Sequence, residues 1–94
     1  MAATGEIEID FGAAPGKDLV TVAVARAAVT ANTHVEAYLF PKATADHSAD
    51  EHIIDGPVLF AHNVQAGVGF DVAAIYKGQG LCAGRWTGRW VSTD

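Results

Sequence analysis

Glu6-Ile-Glu-Ile-Asp-Phe11 alternates acidic and apolar residues without a break. A period of two places Ile7, Ile9 and Phe11 on one face of an extended strand and the three carboxylates on the other. The same period recurs along the chain. In Leu19 to Ala25, Val20, Val22 and Val24 share a face, and β-branched residues suit a pleated surface better than a helix. In His34 to Phe40, Val35, Ala37 and Leu39 are expected inside, with His34, Glu36, Tyr38 and Phe40 outside. Val58 to Gln65 and Val68 to Lys77 are read as a hairpin across Ala66-Gly67. The expected inner faces are Val58, Phe60, His62 and Val64 in the first arm and Val68, Phe70, Val72, Ala74 and Tyr76 in the second. Arg85 to Ser92 puts Trp86, Gly88 and Trp90 opposite Arg85, Thr87, Arg89 and Val91.

These segments are separated by turn chemistry. Pro15-Gly16 marks the first loop, Pro41 ends the third strand, Gly56-Pro57 restarts the extended chain, and Lys77-Gly-Gln-Gly80 is a glycine-rich loop. Ala27 to Thr33 reads as a connection. Lys42 to Asp55 lacks strand character. Within it Ser48 followed by Glu51 fits a capping box, so Ser48 to Ile53 is expected to form about one helical turn or an ordered loop. The fold class is therefore all-β: an antiparallel β-sandwich or jelly-roll-like barrel with at most one short helical turn. Residues 1–94 are expected to form a single domain. The expected core is Ile7, Ile9, Val20, Val22, Val24, Val35, Leu39, Val58, Phe60, Phe70, Val72, Trp86 and Trp90.

Half of the residues are hydrophobic and 18% are charged, a globular composition. A domain of 94 residues has a thin margin of stability. Cys82 is the single cysteine, so no internal disulfide supports it. Oligomerisation or a metal would supply that support. The net charge of −5 argues against a nucleic-acid partner. The first residues lack a basic region followed by an apolar core, so no signal peptide is expected, and no apolar run is long enough for a membrane span.

Asp46-His-Ser-Ala-Asp-Glu-His52 is the segment that looks most like chemistry, because histidine and carboxylates together can ligate a divalent cation. The spacing is poor. His47 and His52 are five apart, and no helical HExxH pattern is present. A solvated polar loop with a capped turn is the leading reading, with an interface loop as the next. No metal and no cofactor are expected. Cys82 has no CxxC partner, no GxSxG is present, and Gly78-Gln79-Gly80 lacks the Lys-Ser/Thr of a phosphate loop, so the chain is not expected to be an enzyme. Gly84-Arg-Trp-Thr-Gly-Arg-Trp90 mixes basic and aromatic residues, but on a strand they face opposite ways. The acidic middle (Glu36, Asp46, Asp50, Glu51, Asp55) and basic end (Lys77, Arg85, Arg89) suit contacts between subunits. The candidate interface residues are Glu36, Tyr38, Phe40, Asp46, His47, Asp50, Glu51, Arg85 and Arg89.

Val35-Glu-Ala-Tyr-Leu-Phe-Pro41 with Ala43-Thr-Ala-Asp-His-Ser-Ala-Asp-Glu-His52 resembles a block in small virion structural proteins of tailed bacteriophages. Val64-Gln-Ala-Gly-Val-Gly-Phe70 and Trp86-Thr-Gly-Arg-Trp-Val91 are similar to their following blocks. Between Tyr76 and Gly84 this chain departs from them, since many are longer there. The resemblance implies a non-enzymatic virion component made in the host cytoplasm, and transfers no catalytic residue. A capsid decoration (cement) protein is the first expectation, bound to the major capsid protein or to copies of itself and forming a homotrimer on threefold positions. The alternative is a tail- or fibre-associated module that recognises a host surface glycan, with Tyr38, Phe40 and Tyr76 stacking on sugar rings.

Overall fold

A computed structural model describes residues 2–78 and 80–93. Gln79 of the glycine-rich loop lies outside the described residues, as do Met1 and Asp94. Six strands and one helix follow in the order β1 (Ala2–Asp10), β2 (Leu19–Ala25), β3 (His34–Leu39), α1 (Ala49–Asp55), β4 (Val58–Gln65), β5 (Gly69–Ile75) and β6 (Arg85–Thr93). They build two antiparallel three-stranded sheets, ordered β1-β6-β3 and β2-β5-β4. The all-β expectation holds. The β4–β5 hairpin stays within one sheet, and the other connections cross from one sheet to the other. Among the described residues no helix is long and apolar enough to cross a membrane.

The two sheets bury a shared core. Ile9, Trp86 and Trp90 of one sheet meet Leu59, Phe70, Val72 and Ala74 of the other, with Phe11, Val29 and Cys82 closing the ends. Phe70 and Trp90 meet edge to face at 5.4 Å, a favoured geometry for two aromatic quadrupoles. The valines of β2 and the inward residues of β3 pack half-buried around this centre. β1 begins four residues before the alternating stretch. Its register runs Ala2 opposite Thr93 through Asp10 opposite Arg85, with Gly5 opposite Trp90. Gly5 is required by close approach: a Cβ there would lie 2.5 Å from the Trp90 ring.

The expected inner face of β4 is reversed. Val58 and Phe60 are exposed (42% and 47%), and Leu59 and Ala61 point inward. Both faces of this segment are apolar, so alternation alone gave no parity. The break comes at a bulge between His62 and Gln65, where Asn63 adopts φ 54°. A bulge adds a residue and resets the alternation, which turns Val64 back to a half-buried position beside the core. Val68 also departs from expectation. It sits in the turn, 61% exposed, and β5 begins at Gly69. The short helix forms where the capping box placed it and runs to Asp55, two residues beyond Ile53.

Candidate functional site

The segment from Lys42 to Asp55 lies against β6, and its polar residues are spent on holding it there. Ser48 caps α1: its hydroxyl accepts from the Glu51 amide, and Glu51 Oε1 accepts from the Ser48 amide, completing the box. Thr44 Oγ1 donates to the Arg85 carbonyl at 2.7 Å. Asp46 Oδ2 accepts from both the Arg85 amide (2.8 Å) and Arg85 Nε (2.9 Å). Those charge-assisted bonds hold the Asp46 carboxyl below its ordinary range.

The two histidines converge on one indole. His47 stacks on Trp86 with ring centres 3.7 Å apart and 17° between planes. His52 meets the same ring edge-on at 4.9 Å. Both ring nitrogens of His47 face acceptors, the Ala83 carbonyl at 2.6 Å and the Glu51 carboxylate at 2.9 Å. The His47 bond is the main reason that the Glu51 carboxyl is held below its usual range. Gly84 makes this seat possible. Its φ is +80°, and a Cβ on Gly84 would meet Asp46 Cβ at 2.8 Å and His47 Nε2 at 2.9 Å.

His52 is buried and replaces a strand. Its Nδ1 donates to the Ser48 carbonyl at 2.7 Å, and its Nε2 accepts from the Thr87 amide at 3.0 Å. This pattern fits the neutral ring with its proton on Nδ1. Thr87 would ordinarily bond the neighbouring strand through that amide. Phe40 donates its own N–H to the Thr87 carbonyl (2.9 Å), but the Phe40 carbonyl turns away to accept from the Lys42 amide (2.7 Å). The imidazole fills the ladder position that the turn at Pro41 vacates. The signal for it was present as a second histidine inside a capped turn, but no sequence pattern says that a side chain will complete a sheet.

The remaining candidate residues divide between two places. Glu36 and Tyr38 are exposed on the outer face of β3, with Glu36 3.3 Å from His34. Phe40 is half-buried beneath the Arg89 guanidinium, 4.1 Å from its ring centre. Arg89 also lies 3.8 Å from Glu6, which Lys42 reaches at 3.0 Å. Asp50 is exposed in the first turn of α1. Arg85 and Arg89, expected to reach carboxylates of a neighbouring subunit, are thus engaged within their own chain. Tyr76 is bonded through its hydroxyl to Asp55 at 3.0 Å and follows a strand of the other sheet, so it shares no stacking surface with Tyr38 and Phe40. Among the described residues no group of three or more His, Cys, Asp or Glu side chains is arranged to hold a metal ion. Cys82 is buried, and burial pushes its thiol above the ordinary value.

No protein-family model matches the chain, and no curated protein sequence does. In three dimensions the whole chain is similar to a segment of the tailspike of Pseudomonas phage phi297, seen in a crystal structure, with a TM-score of 0.57 and 19% sequence identity. The chain spans 15% of that tailspike. At this identity the likeness is one of fold alone.

Proposed function

We propose that the protein is a non-enzymatic structural component of a tailed-phage particle, located on the tail. The observation that carries this reading is the fold likeness, which extends over the entire chain, to a segment of a tailspike. The sequence blocks at Val35–Pro41 and Ala43–His52 point to the same class of particle. The site chemistry supports a structural role. Asp46, His47, Glu51 and His52, the residues most able to do chemistry, are committed to seating α1 on Trp86 and β6. Capsid decoration belongs to the same broad class, but the fold likeness gives it no specific support. Glycan recognition by Tyr38, Phe40 and Tyr76 is less favoured, because Phe40 lies under Arg89 and Tyr76 is tied to Asp55.

Mass spectrometry of purified particles, separated into heads and tails, tests the proposal. The protein should be recovered in the tail fraction. Recovery with the heads would favour decoration instead, and absence from the particle would reject both.

A further inference from the structure

Each sheet ends in two edge strands, and three of the four edges are visibly guarded. β1 carries Glu6, Glu8 and Asp10, β3 carries His34 and Glu36, and β4 has its bulge. Charges and bulges are the ordinary means of preventing edge-to-edge pairing. β2, Leu-Val-Thr-Val-Ala-Val-Ala, has no charge, no proline and no bulge over seven residues.

The direction of its backbone groups follows from its neighbour. The Asp18 carbonyl accepts from Tyr76, and the Arg26 amide donates to Val68, each at 2.9 Å and in register with the β2–β5 pairing. Alternation then turns Val20, Val22 and Val24 toward β5. The N–H and C=O groups of Leu19, Thr21, Ala23 and Ala25 point to the open side. Lys17 is already bridged to Cys82 through two 2.8 Å bonds, which bounds the open edge at its start.

We propose that this edge pairs with the same edge of a second copy, β2 against β2, antiparallel about a twofold axis at Val22. Charge complementarity selects the partner. Centred on Val22, the pairing sets Leu19 opposite the partner subunit's Ala25 and Thr21 opposite the partner subunit's Ala23. All four positions have backbone groups aimed across the gap, so the register and the hydrogen-bonding parity agree. At the two ends Asp18 falls opposite the partner subunit's Arg26, twice by symmetry. Arg26, whose guanidinium lies 5.5 Å from the centre of the Trp90 ring in its own chain, is held at that end of the strand. An equivalent pairing of β1 about its middle would set carboxylates near carboxylates.

On the outer face only Leu19 of the exposed apolar row lies at the seam, and the row runs from it across the sheet. Leu19 (53% exposed), Ile75 and Val58 form one cross-strand row, with Phe60 in the next. The dimer joins two such faces into a continuous six-stranded sheet. The inference stands apart from the assignment to a phage tail, because it concerns the isolated chain.

Sedimentation velocity over a range of concentrations, with amide hydrogen exchange, tests it. The chain should form dimers, and the amides of Thr21 and Ala23 should gain protection as dimer forms. Asp18→Lys and Arg26→Glu should each weaken the dimer about tenfold, since each turns two attractive pairs into repulsive ones. An equimolar mixture of the two variants should recover wild-type affinity, because both contacts of the mixed dimer then join opposite charges. Ala23→Lys, at an exposed position, should give a folded monomer. A monomer at all concentrations, a trimer, unchanged exchange at Thr21 and Ala23, or a mixture no tighter than its components would overturn the proposal.

Discussion

His52 is the residue whose role is most fully determined by its surroundings. It is buried, it accepts from a backbone amide of β6, and it packs edge-on against Trp86. Replacing it with alanine leaves the Thr87 N–H buried without a partner and opens space beside the indole. His52→Ala should therefore lower unfolding stability by about 2–3 kcal/mol, measured by urea denaturation. Asp46 and Glu51 are different, because both are exposed and their bonds are screened by water. Their folded carboxyls titrate below the unfolded ones. The stability this gives is fully present above the unfolded values and is lost as pH falls through the folded ones. The urea midpoint should thus decline on acidification below about pH 4.5. Asp46→Asn should flatten that decline while leaving the curve near neutral pH little altered in shape. An unchanged acid limb in Asp46→Asn would contradict the role given to its bonds with Arg85.

At the scale of elements, α1 owes its position to its cap more than to its apolar content. Ile53 and Ile54 are 70% and 82% exposed, and His52 is its buried residue. A helix of seven residues has little intrinsic stability. Ser48→Ala removes one half of the capping box and should cost about 1 kcal/mol. It should also raise amide exchange at Thr87, whose acceptor rides on this helix. Exchange at Thr87 equal to wild type would mean that the sheet holds His52 without the cap. The element scale is also where the sequence was most and least legible. Ile7, Ile9 and Phe11, the valines of β2, and Trp86 and Trp90 all face as their alternation implied: β1 and β6 set carboxylates or arginines on the other face, and in β2 the three valines form the one β-branched row. β4 did not, because Leu59 and Phe60 are equally apolar and the bulge at Asn63 leaves no compositional mark. The capping box was legible because it is local. The convergence of His47 and His52 on Trp86 was not, because it joins residues more than thirty positions apart.

For the whole molecule, the pattern is a small sandwich that uses its polar chemistry to fasten a connection and leaves apolar surface exposed on the outside of one sheet. Leu19, Val58 and Phe60 contribute to that outer face. Such a surface suits a component of an assembly. Arg85 and Arg89 do not extend this reading, because they are engaged by Asp46, Glu6 and Phe40 of their own chain. The proposal of a tail location rests on the fold likeness to part of a tailspike. A cryo-electron microscopy map of the particle that carries this protein, with the domain fitted into it, tests the proposed tail location. Density for the two three-stranded sheets should appear on the tail. Density repeated over the icosahedral shell, with none on the tail, would contradict it.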